Sequence, residues 1–204
     1  MKNDLISQSS EFDCGPTTLT NAMRFLYERE EIPPKILKHI WFMGNDTFDD
    51  DGRLGRHGTS KASMRYMADW LNAYGKGFQF PIHAEFLELE ETLIAPGSRT
   101  WVCVAAGGCA VMRCYAGGYG HYVLLTQILP SGEIGLFDPY DEIPGETKDP
   151  WRCVAGEPKR MNRAVHPDQL NRTDTADYAM GAFPIRENLL IWRTDQNKEV
   201  TAHD

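Results

Sequence analysis

Residues 8–16, QSSEFDCGP, place a cysteine at the predicted start of a helix, six residues after a glutamine. Pro16 suits the first helical turn, because its missing N–H group would have no partner there. Four apolar residues then recur at helical spacing, at Leu19, Ala22, Met23 and Leu26. The unpaired N–H groups at a helix start favour the thiolate form of a cysteine. The pattern therefore predicts Cys14 as a reactive thiol at the mouth of a buried helix.

Length and charge limit the class of protein. The 204 residues predict one domain, spanning residues 1–204, that buries a core without disulfides. No apolar run reaches the ~20 residues that span a bilayer, and the first residues lack the apolar segment of a secretory signal. We therefore expect a cytoplasmic protein without a membrane span. The net charge of −8 disfavours nucleic acid as a partner, because phosphate binding needs clustered Lys and Arg.

Three of the five cysteines are close together in sequence. Cys103, Cys109 and Cys114 contain no CxxC pair, so their spacing indicates a zinc site only weakly. Unpaired cysteines are among the most frequently buried residues, and we interpret these three as small apolar side chains in strands. We predict no metal ligand among them.

The first half of the chain has mostly helical patterns. Pro33 and Pro34 begin a short helical stretch, and residues 59–60 read as the cap of another helix. Residues 78–81 favour a short strand, and the apolar residues of 86–94, interleaved with glutamates, favour an amphipathic helix. Between these elements, residues 45–58 form a predicted surface loop rich in Asp and Gly.

The second half has patterns typical of strands. We predict strands at residues 100–104, 121–126, 134–137 and 189–192, the last of them closing the sheet. A turn at residues 130–132 joins the middle two, so His121 and Asp138 lie near the open end of one hairpin. The turn register decides whether they share a face, and the pattern leaves that open. The expected fold class is α+β, with a helical first half packed on an antiparallel sheet from the second half.

These residues fill the roles of thiol-based acyl chemistry. Cys14 is the candidate nucleophile, and His121, after a glycine-rich stretch, is the candidate acid and base. Asp138 would orient the imidazole and fix its tautomer. The Gln8 side chain, with the backbone N–H of Cys14, would stabilise the oxyanion of the tetrahedral intermediate. Each residue alone has a simpler interpretation as a core, surface or turn residue, but together the four favour catalysis.

Four motifs carry a resemblance to a known family: Gln8, DCGP at 13–16, GHYV at 120–123 and FDPY at 137–140. Their order and separations resemble those of the papain-like cysteine peptidases. The branch that they resemble most is the peptidase domain of bacteriocin exporters, which cuts double-glycine leader peptides. The resemblance implies a papain-like fold, the same four roles and a narrow site suited to glycine before the cut bond. Unlike the exporters, this chain has no membrane or ATP-binding segment, and it carries inserts at 46–58 and 144–177.

Three functions remain open from the sequence. The first is a cysteine peptidase that hydrolyses a peptide bond through a thioester, and the second is an acyltransferase or amide-forming enzyme that uses the same thioester. The third is a non-catalytic peptide-binding module with this fold. The mechanism needs no metal or organic cofactor, and the expected partner is a peptide or small acyl substrate; the sequence does not fix the oligomeric state. His57 is a candidate contact at the rim of the site, and Trp41, Trp70, Tyr119 and Tyr140 are candidate lining or core residues.

Overall fold

A computed structural model describes residues 3–55, 57–140 and 150–196 of the chain. Its five α-helices are α1 (Cys14–Leu26), α2 (Pro34–Met43), α3 (Lys61–Phe78), α4 (Arg99–Ala105) and α5 (Pro167–Leu170). Its seven strands are β1 (Ile82–Glu88), β2 (Cys109–Ala116), β3 (Tyr119–Ile128), β4 (Ile134–Phe137), β5 (Trp151–Cys153), β6 (Arg163–Val165) and β7 (Glu187–Arg193). Short 3₁₀ turns lie at Leu89–Thr92 and Phe183–Ile185. The α+β class is confirmed.

The strands form one antiparallel sheet in the order β1-β7-β2-β3-β4-β6-β5. Helices α1, α2 and α3 cover one face, with residues such as Leu19, Ile36 and Met67 in that core. The other face packs against α4 and the segments around residues 94 and 170–180. The buried Thr18 hydroxyl in α1 donates to the Tyr122 carbonyl oxygen in β3 at 3.0 Å, which ties the Cys14 helix to the His121 strand.

Several predicted elements are confirmed. Helix α1 begins at Cys14, and Leu19, Met23 and Leu26 are buried as their spacing requires. Ser60 caps α3 by accepting from the Ser63 N–H. β3 and β4 form the predicted hairpin, with the turn between them. None of the described helices combines the length and the apolar character needed to cross a bilayer.

Two predictions about residues 78–94 are wrong. Phe78 ends α3 instead of starting a strand, and residues 82–88 form β1, so the first half also contributes a strand to the sheet. Ala84 is buried in the core shared with α1, α2 and α3, and Leu87 is buried in the core on the other face of the sheet, so both faces of β1 are covered. The helix predicted from the spacing of the apolar residues is absent from 82–88 because sheet pairing with a distant strand outweighed the local pattern.

Residues 99–105 form α4, which corrects the predicted strand at 100–104. The Ser98 hydroxyl accepts from the Trp101 N–H and caps the helix. Thr100, Cys103 and Val104 are its buried residues, at helical spacing, so the short apolar run was ambiguous between the two structures. Cys103 is consequently buried in a helix, whereas Cys109 and Cys114 are buried in β2.

The last strand lies inside the sheet and not at its edge. β7 pairs with β1 on one side and with β2 on the other, and all seven of its residues are buried. The continuous apolar run of residues 189–192 is typical of such a central strand. The predicted irregular insert at 144–177 includes β5, β6 and α5, and its residues 144–149 lie outside the described part of the chain.

Candidate active site

Cys14 is the first residue of α1 and only 7% exposed. The first intrahelical bond runs from the Thr17 N–H to the Asp13 carbonyl oxygen, so the Cys14 and Gly15 N–H groups precede the helical hydrogen-bond ladder. The Asp13 side chain does not cap the helix. Among the described residues neither N–H group has a backbone hydrogen-bond partner, so both can bind an anionic oxygen at the thiol.

Asp13 instead organises the segment before the helix. Its carboxylate accepts from the Ser9 N–H at 3.1 Å and from the Ser10 N–H at 3.0 Å, and it is itself buried. Two charge-assisted bonds of this kind hold the chain between residues 9 and 13 in a tight turn. Sequence reasoning assigned Asp13 no role, although it immediately precedes the cysteine.

His121 and Asp138 form a buried pair. The imidazole Nε2 lies 2.7 Å from Asp138 Oδ1, and the two residues are 6% and 4% exposed. His121 is the third residue of β3, and Asp138 follows the last residue of β4. The structure thus brings together two residues that the sequence placed at one end of a hairpin. With Nε2 committed to Asp138, the Nδ1 nitrogen is left for the Cys14 side.

A one-residue slip in the β3–β4 pairing puts the two side chains on one face. Leu124 pairs with Phe137, but the register shifts between Leu125 and Gln127. Continued beyond Phe137, the pairing puts Asp138 opposite Val123, whose side chain lies on the same face as His121. Without the slip, Asp138 would stand opposite Leu124 and point away from the imidazole. The bulge is the feature that the turn motif could not reveal.

Interactions with Asp138 and Cys14 change the protonation of His121. Burial by itself lowers the pKa of the imidazole, but hydrogen bonding to and the charges of Asp138 and Cys14 outweigh that effect and raise it well above its usual value. Burial likewise works to raise the pKa of Asp138, and its bonds to His121 and its neighbours lower it instead. The pair therefore favours an imidazolium beside the thiol and an ionised carboxylate behind it.

Three further groups fix Asp138 in place. The Tyr178 hydroxyl donates to Oδ2 at 2.8 Å, and the Tyr140 N–H donates to Oδ1 at 2.8 Å. Asn162 makes two bonds of 2.8 Å to the Asp138 backbone, accepting from its N–H and donating to its carbonyl oxygen. Sequence reasoning missed Asn162 because it belongs to the segment 144–177 that was treated as an insert, and it missed Tyr178 directly after that segment. No local motif marks either residue.

Gln8 lies beside the Asp138 segment. Its backbone N–H donates to the Pro139 carbonyl oxygen at 2.9 Å. Its side-chain Nε2 donates to the Ser10 carbonyl oxygen at 2.8 Å, and the buried Oε1 has no hydrogen-bond partner among the described residues. The backbone thus links Gln8 to the segment after β4, and the side-chain amide links it to the Asp13 turn. Among the described residues, one Nε2 hydrogen is left to donate.

The loop at 45–58 packs against the Cys14 segment. The His57 and Phe12 rings stack with their centroids 5.9 Å apart, and Gly58 approaches the Phe12 carbonyl oxygen. A Cβ atom added to Gly15 would stand 1.9 Å from the Thr59 hydroxyl oxygen, so glycine is required there. This placement is consistent with the rim position predicted for His57.

The aromatic candidates divide by position. Tyr140 packs its ring edge-on to His121, with centroids 6.5 Å apart, and Tyr119 is 80% exposed at the start of β3. Trp70 instead stacks on His39 at 3.8 Å, on the helical side of the protein.

Within the described ranges, no group of three or more His, Cys, Asp or Glu side chains is arranged to hold a metal ion. Comparison with protein-family models and with curated protein sequences found no match for this chain.

Proposed function

We propose that the protein is a papain-like cysteine peptidase, related to the double-glycine leader peptidases. The observation that carries the proposal is the buried His121–Asp138 pair next to a cysteine at a helix N-terminus. A raised imidazole pKa keeps a proton on His121 at neutral pH, which stabilises a neighbouring thiolate by charge. A carboxylate on one imidazole nitrogen and a cysteine at a helix N-terminus near the other are together what thiol catalysis requires.

The chemistry follows from this arrangement. The Cys14 thiolate attacks the peptide carbonyl carbon, and the Cys14 N–H and the Gln8 amide stabilise the resulting oxyanion. The His121 imidazolium gives its proton to the leaving amine as the C–N bond breaks, which leaves a thioester on Cys14. Neutral His121 then takes a proton from water as the water attacks the thioester, and the acid and the thiol are released. Asp138 holds the imidazole orientation throughout.

The first test is the pH dependence of iodoacetamide alkylation at Cys14, located by peptide mapping. Wild-type protein should be labelled rapidly well below pH ~8, the region in which an ordinary thiol is mostly protonated. His121→Ala should slow the labelling at pH 6 by about tenfold or more. The half-buried Cys153 is the internal reference, and His166→Ala, which removes a half-exposed histidine, is the matched control.

Two outcomes separate the alternatives. If Cys14 is alkylated with the pH profile of an ordinary thiol, and His121→Ala does not change that profile, the catalytic assignment is contradicted and a peptide-binding module is favoured. If Cys14 is reactive, the next experiment tests peptides with glycine before the cut bond as substrates. Mass spectrometry of the intact protein then detects the acyl-enzyme as an added mass. Transfer of the acyl group to an added amine, at the expense of hydrolysis, would instead favour the acyltransferase.

A further inference from the structure

Tyr178 occupies an unusual position behind the candidate site. It is buried, and its backbone φ of 64° lies in the left-handed region that residues other than glycine seldom adopt. Its N–H donates to the Tyr115 carbonyl oxygen at 2.7 Å, and the Tyr115 N–H donates to the Ala179 carbonyl oxygen at 2.9 Å. The segment therefore pairs with the end of β2. Backbone strain of this kind persists where the surroundings over-determine a conformation, often at functional sites.

Arg186 holds together the two ends of the loop that carries Tyr178. This fully buried side chain donates from Nε to the Gly181 carbonyl oxygen at 2.7 Å and from Nη2 to the Asn171 carbonyl oxygen at 2.6 Å. These bonds join the two ends of the segment from 171 to 181. Tyr178 is therefore held from the sheet edge and from the loop base, and its hydroxyl is presented to Asp138 in a fixed direction.

The groups around the Asp138 carboxylate come from four parts of the fold. His121 from β3 and Tyr178 from its loop bond to it, and Cys114 in β2 and Arg163 in β6 are near enough to interact with its charge. Arg163 is buried, and although burial works against its charge, the neighbouring Tyr178 and Asp138 help to raise its pKa. A cation beside the tyrosine oxygen favours the orientation in which the hydroxyl proton points to Asp138.

We propose that Tyr178 is a positioning residue of the candidate active site, whose hydroxyl holds the Asp138 carboxylate so that Oδ1 stays on His121 Nε2. Tyr178 acts on Cys14 only through Asp138 and His121. The inference rests on the proposed function, because it assigns Tyr178 a part in the same thiol chemistry. The two oxygens of a carboxylate are chemically equivalent. His121 and the Tyr140 N–H bind Oδ1, and Tyr178 binds Oδ2, so the Tyr178 hydroxyl opposes exchange of the two oxygens.

The test is the alkylation profile of Cys14 in Tyr178→Phe, which removes only the hydroxyl. We expect the midpoint of the profile to rise by about half a pH unit or more, with labelling at pH 6 slowed about threefold or more. The His121 pKa, followed by NMR of the imidazole, should fall in the same variant. Tyr27→Phe, which removes another buried tyrosine hydroxyl bound to the Pro81 carbonyl oxygen, should leave both measurements unchanged.

A double-mutant cycle distinguishes positioning from a general loss of stability. In an Asp138→Asn background, Tyr178→Phe should change the labelling rate by less than about 1.5-fold, because its route to Cys14 is already lost. An equal effect in both backgrounds would overturn the proposal, as would an unchanged or raised His121 pKa in Tyr178→Phe. If His121→Ala leaves the alkylation profile of Cys14 unchanged, the proposed function fails. If His121→Ala changes the alkylation profile of Cys14 but Tyr178→Phe does not, only this inference fails.

Discussion

The Thr126 hydroxyl lies 2.8 Å from the Arg160 carbonyl oxygen, at the point where β3 has one residue more than its pairing with β4 needs. It also lies 3.1 Å from the Gly135 carbonyl oxygen across the ladder. Thr126 is the unpaired residue of the bulge, between Leu125 and Gln127. The register that brings Asp138 to His121 is thus anchored by a buried side chain.

We predict that the bulge accommodates Thr126 as an extra residue and that the site does not need this residue. Deleting Thr126 should remove the bulge and leave Leu124 opposite Phe137 and Asp138 on the face of His121, so rapid labelling of Cys14 at pH 6 should persist. Thr126→Val keeps the length and should cost about 1 kcal/mol of unfolding free energy while the labelling persists. Urea denaturation measures the stability of both variants, and alkylation measures their Cys14 reactivity. Loss of rapid His121-dependent labelling in a folded deletion variant would contradict this account of the pairing.

The His121–Asp138 pair should make stability depend on pH in the neutral and alkaline range. The folded-state pKa of His121 is raised, so the stability that the pair contributes is complete below the unfolded value of about 6.5 and declines as pH rises through the folded value. The lowered pKa of Asp138 sets the acid limit, because that contribution is lost as pH falls through it. Asp138→Asn should therefore flatten the decline of unfolding free energy above pH 6.5, measured by urea denaturation.

The control for this prediction is His121→Gln. It removes the same pair from the other side and should flatten the same part of the pH profile, and combining it with Asp138→Asn should add little. A decline with pH that persists unchanged in both variants would place its origin elsewhere in the protein.

Gly15 should not tolerate alanine. The added Cβ would overlap the Thr59 hydroxyl, which itself donates to the Gly44 carbonyl oxygen, so we expect Gly15→Ala to lower the unfolding free energy by about 1–3 kcal/mol. Thr59→Gly should restore part of that loss by making room. Gly77→Ala is the matched control, because nothing lies within 4 Å of its added Cβ in α3, and it should stabilise the protein by about 0.5–1 kcal/mol. Thermal or urea denaturation separates the three variants.

Glu187 should be a destabilising charge at neutral pH. It is buried in β7 and accepts from the Tyr122 hydroxyl, while its Oε2 has no hydrogen-bond partner among the described residues. Burial raises its pKa, so folding favours the protonated form, and the resulting stability is lost as pH rises from about 4.3 through the folded value. Glu187→Gln should be more stable than wild type at pH 8, with a difference that shrinks toward pH 4 in urea denaturation.

The matched control is Glu88→Gln, on the strand position paired with Glu187. Glu88 bonds to Lys61 and Arg65, which lower its pKa, so this variant should not stabilise the protein at pH 8. Stabilisation by both substitutions would indicate a general effect of negative charge on this part of the sheet rather than the burial of Glu187.

Local signals in the sequence were enough for the elements that position three of the four candidate residues, Cys14, His121 and Asp138. Pro16 and the apolar spacing after it determine that α1 starts at Cys14. The turn at residues 130–132 determines the hairpin that brings His121 near Asp138. Both signals act over a few residues, where backbone preference and side-chain periodicity dominate, so they are legible without knowledge of the fold.

Tertiary structure decided the rest. The short apolar run at 99–105 fits either a helix or a strand, and its packing against the sheet selected the helix. The bulge at Thr126 decided which face Asp138 occupies. Tyr178, 40 residues away, reached the Asp138 carboxylate, and Asn162, 24 residues away, reached the Asp138 backbone. Such contacts depend on the summed packing of distant segments, which no local pattern contains. The sequence by itself therefore determined which groups the site could use, whereas the fold decided how they face one another.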